Sequence, residues 1–275
     1  MPYPDFLYIG APRAGSTWLA TMLQAHPEIR VPPCKEIAWY HPRFQRYRFK
    51  KLLHYWQGHF EVPDRETKRW FRRFFLTPFP GDRWYQSLFP ASQISGEIAD
   101  AYSSLDEAHV ARIARAMPDV KIVITLRNPV ERAISHAVHG TAKRKGRAVR
   151  DVPESELIAH IDHPGNEAHS SYTAMLDRWQ AYFPDDQILI NFYEKLCEAP
   201  ETYLQGICDF LGADFKASWF AGRLEKRVNR GGLDNVPYTV WHHACKKYAK
   251  ETRMIAERFG GPSQHWYDQL VDDLR

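Results

Sequence analysis

Gly10-Ala11-Pro12-Arg13-Ala14-Gly15-Ser16-Thr17 is a phosphate-binding loop that lacks its lysine. The familiar spacing, glycine, four residues, glycine, lysine and a hydroxyl residue, is kept except that the cation stands inside the loop as Arg13. An apolar run, Phe6-Leu7-Tyr8-Ile9, precedes the loop, and Trp18-Leu19 with Met22-Leu23 begins a helical pattern after it. In that strand–loop–helix setting the backbone N–H groups of Gly15, Ser16 and Thr17 point at an anion, and the helix start adds its positive dipole end. A nucleotide triphosphatase needs the lysine on the β- and γ-phosphates and Mg²⁺ on the hydroxyl. Without that lysine the loop suits a single phosphate, with Arg13 beside its outer oxygen. A second cation and hydroxyl, Arg127 and Ser135, flank another strand-to-helix turn, Leu126-Arg127-Asn128-Pro129. Alone, that pair reads better as a strand-end ion pair and a solvated helix serine.

The elements that must position these groups follow from periodicity. A strand over about 6–10 and a helix over about 17–25 are followed by an extended stretch at 31–36. Lys121-Ile122-Val123-Ile124-Thr125-Leu126 has the look of a central parallel strand buried on both faces. Val130, Ala133, Ile134, Ala137 and Val138 line one face of the next helix, opposite Arg132, Ser135, His136 and His139. A helix near 172–183, a strand Ile188-Leu189-Ile190, and a helix from Pro200 to Gly212 complete the alternation. The fold class is therefore α/β, a central parallel sheet flanked by helices. Two segments stand apart. Residues from about 39 to 90 interleave many aromatics with Arg and Lys; they form either short helices packed on the sheet or, in part, a lid over an acceptor pocket. Residues 140–151 look like a mobile basic loop.

At 275 residues and 44% hydrophobic, the chain can bury one core as a single domain, 1–275. Mean hydropathy is −0.52 and no run reaches the length of a membrane span. We expect no signal peptide, and we expect four well-separated cysteines, Cys34, Cys197, Cys208 and Cys245, to be reduced thiols in a cytoplasmic protein. A net charge of +4 suits an anionic ligand rather than nucleic acid. His160-x-x-His163-x₅-His169 has loosely metal-like spacing but reads better as polar loop histidines, so no metal is expected. Two other classes compete: a P-loop kinase or nucleotide hydrolase, and a non-catalytic nucleic-acid module.

Taken together, Gly-Ala-Pro-Arg-Ala-Gly-Ser-Thr-Trp-Leu at 10–19, Leu-Arg-Asn-Pro-Val-Glu-Arg-Ala-Ile-Ser at 126–135 and Phe-Tyr-Glu-Lys-Leu at 192–196 resemble the sulfotransferases that use 3′-phosphoadenosine-5′-phosphosulfate (PAPS). The order and spacing agree over most of the chain. The resemblance implies a P-loop-like sulfotransferase architecture and metal-independent, in-line transfer that leaves 3′,5′-adenosine bisphosphate (PAP). It implies that Arg13, Ala14, Gly15, Ser16, Thr17 and Trp18 hold the 5′-phosphosulfate, that Arg127 and Ser135 hold the 3′-phosphate, and that Tyr193 lies near the adenosine. A late basic segment containing Arg227, Asn229, Arg230 and Gly231 resembles the loop that closes over the nucleotide. Two departures stand out: arginine replaces the common lysine at Arg13, and no N-terminal anchor of the Golgi type is expected. An arginine can stabilise the bridging oxygen but cannot donate a proton to it.

For the base, relatives acting on glycans often place a glutamate where Lys35-Glu36 stands, so Glu36 is the first candidate. His41 is second, because an ordinary imidazole accepts protons near neutrality. Glu97 and Asp100 come third, at the end of a strand candidate, Ile94-Ser95-Gly96-Glu97. The acceptor class leans to carbohydrate, with a small phenol, a lipid headgroup or a polyketide as alternatives; the pattern fixes no oligomeric state.

Overall fold

The computed structural model describes residues 2–60, 62, 64–224, 233 and 235–275. In chain order the elements are β1 (Phe6–Gly10), α1 (Ser16–Ala25), β2 (Ile29–Arg30), α2 (Phe44–Trp56), α3 (Arg65–Leu76), α4 (Asp82–Gln86), β3 (Ile94–Ile98) and α5 (Glu107–Ala116). There follow β4 (Lys121–Leu126), α6 (Pro129–Thr141), α7 (Glu154–Ile161), α8 (Pro164–Ala168), α9 (Tyr172–Gln180), β5 (Ile188–Phe192), α10 (Tyr193–Glu198), α11 (Pro200–Leu211), α12 (Tyr238–Phe259) and α13 (Gly261–Asp273).

The five strands form one sheet in the order β2-β3-β1-β4-β5, and every pairing is parallel. The central position of β1 explains why all five of its residues are buried. Alternate residues serve opposite faces: Leu7, Ile9, Ile122 and Ile124 join one core, while Phe6, Tyr8 and Val123 join another with α1 and α11. Fully burying a side chain of this size is worth about 1.5–3 kcal/mol. Register then fixes the site. Leu7 sits beside both Glu97 and Ile122, and Leu126 beside Phe192, so the chain leaves β1, β3, β4 and β5 at the same edge. Ligands of open parallel sheets bind along that edge.

Local chemistry explains the turns. Asn128 caps α6 by accepting from the Val130 N–H at 2.9 Å, with Pro129 in the first helical turn, where a missing N–H costs nothing. Gly15 has φ 93°, and a Cβ there would run into the Leu196 side chain, so only glycine lets the loop turn into α1.

The 39–90 segment forms α2, α3 and α4, and its Phe71, Phe74, Trp84 and Tyr85 join the core that holds Leu7 and Ile122. The 140–151 stretch is not one continuous loop. Helix α6 runs through Gly140 to Thr141, and 143–145 and 149–151 each form a short 3₁₀ turn. Glu156 explains this order by pairing with Lys145 at 2.7 Å and Arg147 at 3.0 Å. The four cysteines are free thiols, three of them buried. Among the described residues no helix is long and apolar enough to cross a membrane.

Candidate active site

The turns after β1, β3 and β4 meet at a cleft of about 280 Å³. Pro12, Arg13, Gly15, Ser16, Thr17 and Trp18 supply one wall, Arg127, Ser135 and Tyr193 another, and Lys35, Glu36 and Asp100 the floor. The two sequence motifs touch directly. The Arg13 Nε donates to Ser135 Oγ at 3.2 Å, and Arg127 Nη1 donates to the Arg13 carbonyl at 3.1 Å. Arg127 also pairs with Glu131 at 2.7 Å and lies 4.8 Å over the Tyr193 ring. Burial, and then the neighbouring Arg127 charge, lower the Arg13 pKa from its ordinary value. Among the described residues, no acceptor meets the N–H groups of Gly15, Ser16 or Thr17, which belong to the open first turn of α1.

Below the loop, Ser16 Oγ donates to Asp100 Oδ2 at 2.7 Å and receives from Lys35 Nζ at 2.9 Å, with Lys35 4.0 Å from the same carboxylate. Asp100 is 7% exposed, and its Oδ1 is buried with no hydrogen-bond partner. Burial raises its pKa, against the opposing effects of Lys35, Ser16 and Arg13. Lys35 was not singled out from the sequence, although it adjoins Glu36. Only the fold brings it to the loop hydroxyl.

Glu36 lies at the cleft with φ 58°, a left-handed conformation uncommon for a residue with a side chain. Its N–H is tied to the Ile98 carbonyl at 2.7 Å. Among the described residues its carboxylate has no hydrogen-bond or ionic partner, since Lys35 is turned to Ser16 and Asp100. Two residues on, Ala38 is also left-handed (φ 55°), and its N–H donates to Glu97 Oε1 at 2.6 Å.

Several expected site residues lie elsewhere. Glu97 does not face the cleft: it is 1% exposed and wrapped by Ala38 N–H, Tyr85 OH at 2.6 Å and Tyr102 OH at 3.2 Å. Burial pushes its pKa up to about 7. His41 does not line the cleft either; its ring packs 5.1 Å from Tyr47, its Nδ1 accepts from Arg43 N–H at 3.0 Å, and burial lowers its pKa to about 4. Ala14 buries its methyl in the core and gives its amide to the Ala11 carbonyl at 3.3 Å, because the turn at Arg13 rotates it inward. Arg227, Asn229, Arg230 and Gly231 lie outside the described residues.

Two histidines join the cleft from α6, His136 and His139. Burial, then Arg132, push His136 down to about 2; burial, then Arg13, push His139 down to about 4. Both are neutral near pH 7. Their shared face with Ser135 at helical spacing was the available signal. Among the described residues no cluster of His, Cys, Asp or Glu could hold a metal ion.

A family model described as "Sulfotransferase family" matches residues 4–217. Heparan sulfate glucosamine 3-O-sulfotransferase 3B1 of Mus musculus is 26% identical over 220 residues, covering 76% of this chain and 46% of that protein. Heparan sulfate glucosamine 3-O-sulfotransferase 6 of Homo sapiens is 28% identical over 220 residues, covering 76% and 52%. The chain thus spans about half the length of the curated relatives it matches. A crystal structure of a sulfotransferase from Alicyclobacillus acidocaldarius superposes with a TM-score of 0.62 at 21% identity, covering 97% of this chain and 99% of that one, a likeness of fold.

Proposed function

The chain belongs to the sulfotransferase family, and from that membership we propose that it moves the sulfuryl group of PAPS to a carbohydrate hydroxyl. The observation that carries this reading is the meeting of two cationic turns in one cleft: Arg13 with the Gly15–Thr17 loop, and Arg127 with Ser135. An adenosine phosphorylated at both its 5′ and 3′ positions matches two such turns, and the lysine-free loop disfavours γ-phosphoryl transfer. The residues fit the donor: amides without acceptors, a glycine whose Cβ would close the turn, and two guanidinium groups face the same space.

PAPS supplies a sulfuryl group carried on its 5′-phosphate. Arg13 and the loop amides hold the phosphate oxygens and meet the charge left there as the group departs. Lys35, reaching the loop through Ser16, supplies a second cation and the proton donor that Arg13 cannot be. Glu36 takes the acceptor's hydroxyl proton on its unpaired carboxylate. Tyr193, beneath Arg127, forms a wall for the base of the nucleotide. No step asks for a metal. Carbohydrate as acceptor draws support from the names of the heparan sulfate relatives. A cytoplasmic setting draws support from the four free thiols.

Calorimetry with PAP, ATP and an oligonucleotide, in EDTA and again with Mg²⁺, tests the donor. PAP should bind and the other two stay silent; ATP binding that needs Mg²⁺ would instead mark a kinase, and oligonucleotide binding a nucleic-acid module. A mass screen for the gain of one sulfate across acceptor classes tests the rest. Glu36→Gln should lose turnover and keep PAP binding, and a near-normal rate would move the base to another group.

A further inference from the structure

The α2–α3 hairpin concentrates two properties that the cleft does not use. Residues 43–83 hold eleven Lys and Arg against four Asp and Glu, while the rest of the chain carries 26 against 29. The whole positive surplus is therefore local. Six of the eight exposed large apolar side chains among the described residues also lie here: Phe49, Leu53, Trp56, Val62, Leu76 and Phe79. Trp56 is 73% exposed and Phe79 91%.

Helical geometry brings members of both sets to one face. Arg48 binds the Phe74 and Thr77 carbonyls, at 2.9 and 2.6 Å, while Tyr55 packs 4.8 Å from Phe71, so the two helices run antiparallel. Each step along a helix turns about 100°. One step before Arg48, Phe71 and Phe75 (the last 5.4 Å from Tyr55), the side chains of Tyr47, Trp70 and Phe74 pack against the core. Those one step after, Phe49 and Trp56 on α2 and Arg72 and Leu76 on α3, must swing outward, and antiparallel helices send them to the same side. Leu53 extends the α2 row at helical spacing. Arg65 and Arg69 extend the α3 row. All of these are solvent-exposed. Arg69, Arg72, Arg73 and Leu76 border a shallow groove. Among the described residues no carboxylate pairs with Arg65, Arg69 or Arg72.

We propose that this outer face of the α2–α3 hairpin docks on an anionic lipid surface. Charge complementarity selects an anionic partner, and the apolar row selects among anions. A hydrated polyanion calls for cations alone, whereas Trp, Phe and Leu beside Arg and Lys match the boundary between headgroups and acyl chains. The chain lies on such a surface by side-chain insertion. This inference stands apart from the donor assignment.

Co-sedimentation of the full chain with vesicles tests it. Vesicles containing phosphatidylglycerol should retain the protein, vesicles of phosphatidylcholine alone should not, and added salt should weaken retention. Arg69→Glu with Arg72→Glu should cut binding more than about tenfold. Trp56→Ser with Leu76→Ser should also cut it several-fold, with circular dichroism and melting temperature confirming that both variants fold. The proposal is overturned by failure to bind anionic vesicles, or by Trp56→Ser/Leu76→Ser binding as the parent does. It is equally overturned if the face retains an acidic polysaccharide and not vesicles, or if sedimentation velocity shows a dimer that these changes dissolve.

Discussion

Replacing Lys35 by glutamine separates a structural role from a chemical one. In the structure its Nζ lies 2.9 Å from Ser16 Oγ and 4.0 Å from Asp100 Oδ2, with the lysine side chain 26% and the aspartate 10% exposed. At an effective dielectric of about 20, unit charges at that separation attract by roughly 4 kcal/mol before desolvation. Partial exposure and the cost of burying Asp100 leave on the order of 1–2 kcal/mol in the resting protein. During transfer the demand is larger, because charge gathers on the phosphate oxygen above the loop. Removing one donor from such a site costs about 3–4 kcal/mol, or 10²–10³ in kcat. Lys35→Gln should therefore lower kcat by about two to three orders of magnitude while PAP affinity, by calorimetry, falls less than about tenfold. Asp100→Asn in the same chain should restore thermal stability, since no unpaired carboxylate remains, yet leave kcat low. A single variant whose kcat stays within about threefold of the parent, against the loss expected for a donor, would refute the assignment, as would full rescue by Asp100→Asn.

Three further outcomes follow from the geometry. Arg127→Met should weaken PAP by about 2–3 kcal/mol and adenosine 5′-phosphate far less, because in the proposed donor site the lost charge-assisted bonds serve the 3′-phosphate; equal losses in calorimetry would contradict that subsite. Glu97→Ala strands two tyrosine hydroxyls and the Ala38 amide in the interior, so the melting temperature should fall by the equivalent of about 3 kcal/mol or more; an unchanged melt would count against this account of the buried carboxylate. Melting temperature should also fall on acidification below the ordinary histidine pKa of 6.5, since His41, His136, His139 and His169 are held down at about 4, 2, 4 and 3. Between those values and 6.5 the unfolded chain binds protons that the fold refuses, so stability rises with pH there, by at most about 1.4 kcal/mol per histidine per unit. Glu97, raised to about 7, works in the opposite sense from its ordinary 4.5 upward, as do Asp100 and Glu194, which burial also raises; these three carboxyl groups stand against five histidines, His160 being lowered as well. A melt that rises on acidification from pH 6.5 to 5 would contradict these environments.

How much was legible in the sequence differs by element. β1 and β4 sit centrally, so their uninterrupted apolar runs betray them, and the Asn128-Pro129 start of α6 is written in its capping chemistry. β2 is two residues long and carries no period to detect. Arg13, Gly15, Arg127 and Ser135 stood out because loop spacing and strand ends have local signatures. Lys35 did not, because its relation to Asp100 is a contact across the sheet edge between residues 65 apart in sequence. Glu97 misled for a related reason. Its position at a strand end suggested the cleft, but register with Leu7 at the centre of the sheet turns it inward, where three donors enclose it.

The grip of Glu97 on Ala38 is a grip on main chain, not on a side chain. That bond needs only an amide hydrogen at position 38, but the left-handed backbone there and its place in the core favour a small residue. The strap that presents Glu36 is therefore held from beneath, by main chain at residue 38 and by the buried side chains of Ile37 and Ala38. The placing of Glu36 at the cleft is in that sense owed to a carboxylate on a different strand that lines no part of that cleft.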